Sequence, residues 1–169
     1  MGKAENKIKL AQKDIDADWT KKNGERHFGY KDHVKCDAGS KLITNYSVTS
    51  ASVHDSQRCL VFIGQEDEVL YADSAYSGKP IALALPENCK NQICEKGYRN
   101  SPLTSEQKMN NRRKSRIRCR IEHIFVFMTG AMHGITIRSI GITRAWMNIG
   151  ITNLVYNFCR YSYLKRASA

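Results

Sequence analysis

Apolar and polar positions alternate in two neighbouring segments of this 169-residue chain, and farther along the chain the apolar positions recur every three or four residues, as in a helix. FGYKDHVKCD spans residues 28–37 and KLITNYSVTS spans residues 41–50. Their partial alternation predicts two strands, and the Ala-Gly-Ser sequence at 38–40 predicts a tight hairpin turn between them. A mostly apolar run at 68–73, EVLYAD, predicts a third strand that is covered on both faces.

Helical spacing is clearest in the second half of the chain. Thr104, with Gln107 three residues later, predicts a helix start with a capping box, and this helix runs to about Met128. Its predicted buried stripe has spacings of four, three and four residues, at Ile117, Ile121, Ile124 and Met128. A last helix is predicted over roughly 140–164, and a short helix within 51–64.

The order of these elements predicts the fold class. A hairpin, a helix, a strand and then helices favour one α/β domain, with a mixed sheet covered by helices, over residues 28–169. Residues 1–27 are polar and charged, and we expect an exposed basic N-terminal arm there. Residues 74–103 are rich in loops, with a helix or short strand near PIALAL.

Charge narrows the function classes. The formal net charge is +11, from 27 Lys and Arg against 16 Asp and Glu. This excess favours a polyanionic partner, most simply nucleic acid. No apolar run approaches the roughly 20 residues that cross a bilayer, so we expect no membrane span. Six cysteines lack zinc-finger spacing, and we expect them to be reduced and mostly in the core of a cytoplasmic protein.

The predicted long helix carries a run of cations without an acid among them. Like charges one turn apart destabilise a helix, and phosphates would offset the repulsion. The alternative is an ordinary solvated face. The candidate DNA-binding residues are Lys108, Arg112, Arg113, Lys114, Arg116, Arg118 and Arg120, with help from Lys21, Lys22 and Lys31.

Two carboxylates stand out against this charge. Asp73 ends the apolar run at 68–73, and Glu122 follows Arg118 by four residues at the margin of the buried stripe. Asp73 could simply be a turn residue, and Glu122 could simply form an ion pair with Arg118. Alternatively, the two carboxylates converge and hold Mg²⁺ for phosphodiester chemistry.

Several motifs in order along the chain resemble one protein family. They are DIDADWTKKNGERHFGYKDHVKCD, SVTSASVHDSQ, YADSAYSG, EKGYRNSPLT, RIRCRIEHIF and RSIGITRAWMNIGITNLVYNFCRYSYL. Together they resemble the catalytic part of bacterial insertion-sequence transposases of the DDE class, in the group that includes insertion sequences four and five. The resemblance runs from about Gln12 to Leu164.

The resemblance implies an RNase-H-like fold in which an Asp-Asp-Glu triad holds two Mg²⁺ ions, with Mn²⁺ as a substitute. Asp73 matches the second Asp, Glu122 matches the Glu, and Arg118 matches the Arg of the family's Tyr-Arg-Glu signature. Two positions depart from that signature, because Ser115 stands in place of its Tyr and Thr129 in place of a following Lys. DNA contacts near the cleaved end are expected at both positions in relatives.

The resemblance also implies a first Asp on a central strand, some tens of residues before DADWTKKNG. None of Asp16, Asp18 and Asp37 matches it. We therefore expect the C-terminal portion of a transposase, with the central strand missing, that acts on double-stranded DNA in the cytoplasm near the nucleoid.

Three hypotheses about activity stay open. The chain could be an active transposase that takes its first carboxylate from Asp37 or from a second copy in a homodimer. It could be a DNA-binding remnant that is inactive alone. It could also be a nuclease or RNA-processing enzyme of the same fold, which the motifs do not support.

Overall fold

The predicted hairpin is confirmed within a three-stranded antiparallel sheet. In the computed structural model, which describes residues 12–22, 24–134 and 136–168, the strands are β1 (Asp18–Lys22), β2 (Glu25–Cys36) and β3 (Ile43–Ser50). They lie in the order β1-β2-β3. The turn after β2 is closed by the Asp37 carboxylate, which accepts hydrogen bonds from the Ser40 backbone N–H and hydroxyl.

Strand β1 lies where the sequence predicts an arm. Its register pairs Asp18 with Gly29 and Lys22 with Glu25, so the predicted boundary at residue 27 falls inside a strand. The side chains of β1 are mostly exposed, and the Trp19 and Phe28 rings pack with centroids 5.2 Å apart. Such a polar edge strand lacks the apolar alternation by which strands are recognised. Residues 1–11 lie outside the described residues.

The strand before Asp73 belongs to a second, separate sheet. Strand β4 (Val69–Leu70) pairs in parallel with β5 (Lys90–Asn91). Backbone hydrogen bonds continue this pairing, from Gln92 N–H to the Leu70 carbonyl and from Cys94 N–H to the Ala72 carbonyl. The predicted strand at 68–73 is thus confirmed in place but is shorter.

The two sheets differ from the single mixed sheet that the sequence predicts. In the described part of the chain β4 pairs with one strand, so Asp73 does not follow an inner strand there. The mixed α/β class is confirmed, and the RNase-H-like arrangement stays a prediction.

Five helices and one 3-10 turn are described. The helices are α1 (Ser56–Phe62), α2 (Lys79–Ala84), α3 (Ser105–Arg118), α4 (Arg120–Gly130) and α5 (Ile142–Ala167), and the 3-10 turn spans Ser74–Tyr76. The predicted capping box is confirmed: Thr104 Oγ1 accepts from Gln107 N–H, and Gln107 Oε1 accepts from Thr104 N–H.

The single long helix that the spacing predicts is two helices joined at Cys119. The Cys119 thiol donates to the Arg116 carbonyl over 3.3 Å. Local bonds from side chain to backbone compete with the helical ladder, which is consistent with a break at this residue. Helix α4 therefore has its own N-terminus, with Glu122 in its first turn.

Helices α4 and α5 pack on one face of the three-stranded sheet. Ile124 and Met128 of α4 are 0% and 1% exposed and contact Ile43 and Tyr156. This confirms the C-terminal half of the predicted buried stripe. Asn157 of α5 accepts from the Ile43 N–H and donates to the Ile43 carbonyl, both over 2.8 Å. This amide replaces a strand partner at the start of β3.

A smaller cluster supports the second sheet. Cys59 of α1, Ile81 of α2 and Ile93 after β5 are buried together, with Leu70 and Tyr76 packed against them. Cys59 is a core cysteine, as predicted, and the six cysteines are free thiols. Helix α1 and the turn after Asp73 are thus joined by one core.

The acidic residues before β1 cap the longest helix. Asp14 accepts from Gly141 N–H over 3.2 Å and Asp16 accepts from Ile142 N–H over 3.0 Å. The Tyr30 hydroxyl also donates to Asp14 over 2.7 Å. A carboxylate at a helix N-terminus satisfies free N–H groups and complements the helix dipole, so these residues have a structural use.

One buried carboxylate is only partly satisfied. Asn153 Nδ2 of α5 donates to Asp32 Oδ1 of β2 over 3.3 Å, whereas Asp32 Oδ2 and Asn153 Oδ1 are buried without a partner among the described residues. Burial raises the pKa of Asp32 to about 6, although the Asn153 hydrogen bond works against the increase.

Asp32→Asn should stabilise the fold at pH 7 by about 2–3 kcal/mol, because burial raises the pKa of Asp32 to about 6 in the folded chain, above the usual value of about 4 for an Asp carboxyl. The folded chain holds this proton more tightly than the unfolded chain. The stability conferred by the protonated Asp32 is therefore present below about pH 4 and is lost as pH rises through about 6. Urea unfolding at both ends of this range should show the gain at pH 7 and little gain at pH 4. An equal gain at both would contradict the prediction.

Candidate functional site

Asp73 lies in the segment that follows β4. Its Oδ1 accepts from the Ser74 N–H over 2.5 Å and caps the 3-10 turn. The residue is exposed, and its other carboxylate oxygen makes no hydrogen bond among the described residues. The turn interpretation is therefore correct for Oδ1, and a role of Asp73 in holding a metal ion stays a prediction.

Glu122 lies in the first turn of α4 and keeps 55% of its side chain exposed. Arg118 Nη1, at the end of α3, lies 3.0 Å from Glu122 Oε1, so the predicted ion pair is confirmed. An exposed pair of this kind contributes little to stability. The pair places the Arg118 guanidinium next to Glu122 Oε1.

Helix α3 is attached to the segment that runs beside Asp73. Asn111 makes two hydrogen bonds of 2.9 Å with the backbone of Glu95, one to its carbonyl and one from its N–H. Lys114 Nζ donates to the Ile93 carbonyl over 3.0 Å. These bonds hold the inner face of α3 against the chain just after β5.

A short series of contacts connects the segment that carries Asp73 with helix α3, which precedes Glu122. Ala72, next to Asp73, bonds to Cys94 N–H, and Cys94 Sγ lies 3.7 Å from Ser115 Oγ. Ser115 is seven residues before Glu122, on the other side of the junction at Cys119. The contacts of the described residues do not include one between Asp73 and Glu122. Their convergence on one ion stays a prediction.

The two departures from the family signature have local explanations. Ser115 faces Cys94, where a Tyr side chain would need room between α3 and the segment after β5. Thr129 is exposed, and its hydroxyl donates to the Phe125 carbonyl of its own helix over 2.9 Å.

The cations that the sequence predicts as DNA contacts fall into two groups. Six are exposed, on the outer face of α3 and on β1: Lys108, Arg112, Arg113, Arg116, Lys21 and Lys22. Four are partly buried and bonded within the chain, namely Lys31 to the Val53 carbonyl, Lys114 to the Ile93 carbonyl, Arg118 to Glu122 and Arg120 to the Ala38 carbonyl. The outer face of α3 is therefore the stronger candidate for phosphate contacts.

A polar cluster near Asp73, formed by His33, Thr49, Asp55 and Tyr76, has no role among the sequence predictions. His33 of β2 is buried, with Nε2 2.8 Å from Thr49 Oγ1 and Nδ1 3.6 Å from Asp55 Oδ1. Burial lowers the pKa of His33. Burial also raises the pKa of Tyr76 to about 12, and the negative charges of Asp55 and Asp73 add to the effect. The sequence Val-His-Asp at 53–55, within the motif SVTSASVHDSQ, is the sequence feature that could have indicated this cluster.

A cluster of metal ligands as large as a triad is absent from the described part of the chain. Within residues 12–22, 24–134 and 136–168, no group of three or more His, Cys, Asp or Glu side chains could hold a metal ion. Asp37, a candidate for this role, is used in the hairpin turn, where hydrogen bonds from Ser40 hold the pKa of Asp37 below its usual value. Among the described helices, none is long and apolar enough to cross a membrane.

Comparison with known proteins identifies the family. The model of the transposase DDE domain matches residues 6–158. The transposase for insertion sequence element IS1106 of Neisseria meningitidis serogroup B is 32% identical over 124 residues, which cover 72% of this chain and 41% of that protein. No solved structure matches. Because the family model spans most of the sequence, the chain belongs to the transposase DDE domain family.

Proposed function

We propose that the chain is part of a DNA transposase, which cuts and rejoins the ends of an insertion element by metal-dependent phosphodiester chemistry. The observation that carries this proposal is the placement of Asp73 and Glu122. Both are exposed, on elements joined through Cys94 and Ser115, and Glu122 follows directly after the cationic helix α3.

The donors suit a hard divalent cation. Mg²⁺, or Mn²⁺ in its place, takes carboxylate oxygens and retains several waters, so Asp73 and Glu122 would form part of its shell. Such an ion supplies Lewis-acid stabilisation of the phosphate charge that develops in strand cleavage. The family's triad uses three carboxylates, and the described residues form no group of three His, Cys, Asp or Glu side chains that could hold a metal ion.

The chain's own side chains have separable tasks. Arg118 orients Glu122 through the 3.0 Å ion pair. Asn111 and Lys114 hold α3 against the segment beside Asp73. The exposed cations of α3 would bind the phosphate backbone, which fixes the position of DNA without reading its sequence.

A second candidate is a DNA-binding remnant without catalysis. The absence of a three-carboxylate group among the described residues favours it. Both candidates predict DNA binding through α3, and they differ in whether Asp73 and Glu122 share an ion.

Mn²⁺ binding to the purified chain separates the two candidates. If Asp73 and Glu122 share one ion, Asp73→Asn and Glu122→Gln should each weaken Mn²⁺ binding by about tenfold, because each removes a charged ligand. Electron paramagnetic resonance of free Mn²⁺ gives the affinity directly. Glu106→Gln, at the exposed start of the preceding helix α3, is the matched control and should leave the affinity unchanged. If only one of the two site variants weakens binding, the residues do not share an ion.

A further inference from the structure

Two exposed aromatic residues lie together at the outer edge of the three-stranded sheet. Trp19 of β1 is 59% exposed and Phe28 of β2 is 52% exposed. The two residues are direct cross-strand partners, and their ring centroids are 5.2 Å apart with 52° between the ring planes. This contact supports the pairing of β1 with β2. Both residues nevertheless stay more than half exposed, so the pair also presents aromatic surface to solvent.

Two cations share this face of the strand pair. Lys21 and Arg26 are also direct cross-strand partners, and both are exposed. Positions two residues apart on a strand point to the same face, so these cations lie about 7 Å along the strands from the aromatic pair. Trp19, Lys21 and Arg26 line a shallow depression of about 360 Å³. We call the surface formed by Trp19, Lys21, Arg26 and Phe28 the β1–β2 face.

The positive charge of the β1–β2 face is unbalanced in the described part of the chain. Like charges directly opposite each other on two paired strands destabilise the pairing. Neither Lys21 nor Arg26 forms an ion pair with another described residue. The nearest acids on the two strands, Asp18 and Glu25, stand at alternate positions, whose side chains point to the opposite face. An anion bound between the two cations would remove their repulsion.

Aromatic surface beside cations suits a nucleotide whose base is unpaired. Such a base can stack on an exposed aromatic side chain, while the adjoining phosphate binds a cation. Within a duplex, both faces of a base are already stacked on its neighbours, so only the backbone is available to a surface of this kind. The combination of rings and cations therefore favours a single strand over a duplex.

We propose that the β1–β2 face binds single-stranded DNA, with a base stacked on Trp19 and a phosphate held by Lys21 and Arg26. The inference rests on the proposed function for the choice of DNA as the polyanion. Helix α3 contains no aromatic residue, so its exposed cations can bind phosphates but cannot stack on bases. The two surfaces therefore differ in the form of DNA that they favour.

The fluorescence of Trp19 reports stacking directly. The sequence contains two tryptophans, so Trp146→Phe leaves Trp19 as the source of tryptophan emission. Oligothymidylate of about ten nucleotides should quench this emission, because a stacked base lies against the indole ring. Inorganic polyphosphate, which carries negative charge without bases, should quench it far less. Equal quenching by the two polyanions, or quenching by neither, would overturn the proposal.

Anisotropy of a labelled oligothymidylate separates binding by this face from a purely structural role. Trp19→Ala should weaken single-strand binding about tenfold or more, whereas Trp19→Phe, which keeps an aromatic ring, should retain most of the affinity. Lys21→Ala should lower the slope of log affinity against log salt by about 0.7, the value for one phosphate contact of a single strand. Lys22→Ala is the matched control, because it removes the same charge from the opposite face of β1. Equal losses in the two lysine variants, with the circular dichroism of the unmodified chain retained, would contradict the proposal.

A duplex in the same assay distinguishes this proposal from the proposed function. Trp19→Ala should leave duplex affinity unchanged, because duplex binding uses the cations of α3. If the unmodified chain binds the single strand through Trp19 but binds no duplex, the DNA-binding face on α3 is wrong and the β1–β2 site stands. If Trp19→Ala weakens duplex and single-strand binding equally, the face does not select unpaired bases and the proposal fails.

Discussion

Replacing Arg112, Arg113 and Arg116 with alanine should lower the affinity of the chain for double-stranded DNA on the order of 100-fold near 0.1 M salt. Each of the three residues is exposed on the outer face of α3. Their side chains make no ion pair or hydrogen bond with the other described residues. They are therefore free to bind phosphates and to release the counterions that phosphates hold.

The salt dependence gives a sharper readout than the affinity. Loss of three phosphate contacts should reduce the slope of log affinity against log salt by about three, and by a similar amount on unrelated DNA sequences. Fluorescence anisotropy with two duplexes of different sequence, at several salt concentrations, measures both quantities.

A matched triple variant tests whether position matters or only total charge. Replacing Lys79, Lys90 and Arg99 with alanine removes the same three charges, from +11 to +8, at exposed positions outside α3. This variant should lose far less affinity. Equal losses in the two triple variants would contradict a DNA-binding face on α3.

Local sequence patterns predicted the parts of the fold that local physics determines. The hairpin follows from alternation around 38–40, the capping box from Thr104 and Gln107, and the buried face of α4 from the spacing of Ile124 and Met128. In each case the residues that determine the element lie within a few positions of one another.

Contacts between segments that are distant in the sequence could not be predicted from such local patterns. Asp16 caps α5 from 126 residues away, and Arg120 donates to the Ala38 carbonyl across 82 residues, so neither could be assigned from its neighbours. The split into two sheets is of the same kind, because β4 is two residues long and is defined by its pairing with β5.

The candidate site was only partly predictable for the same reason. Asp73 was a candidate because it follows a predicted strand, and Glu122 because it lies on a predicted helix. The family motifs supported both residues. The contact of Cys94 with Ser115, which links their elements, has no signature in the sequence. The sequence also gives no sign that Lys114 and Arg120 donate hydrogen bonds to backbone carbonyls of the same chain. These bonds make the two cations weaker candidates for phosphate contacts.

The second large expected effect is an absence of strand cleavage. The purified chain should not cut DNA that carries insertion-element ends, with either Mg²⁺ or Mn²⁺. Two ions placed for phosphodiester cleavage need more carboxylate oxygens than Asp73 and Glu122 supply, and Mg²⁺ keeps its waters unless ligands are well placed. Asp37 does not fill the gap, since its carboxylate is bonded to Ser40 in the hairpin turn.

A fusion of this chain to a segment that supplies the first Asp serves as the positive control of this experiment. If the DNA before the gene encodes an apolar strand that ends in Asp, joining that frame to this chain should produce metal-dependent cleavage. Glu122→Gln in the fused polypeptide should reduce the rate by about a thousandfold or more, because it removes a metal ligand. Glu106→Gln in the same polypeptide should leave the rate unchanged.

The most direct measurement is strand cleavage by the unfused chain, followed on a labelled duplex that carries the element's terminal repeats. We predict no cleavage by this chain and no effect of Asp37→Ala, because Asp73 and Glu122 match two of the family's three carboxylates and the described residues form no three-ligand group. Cleavage that is present in the unmodified chain and disappears in both Asp37→Ala and Asp73→Ala would contradict this, since Asp37 would then be the third ligand.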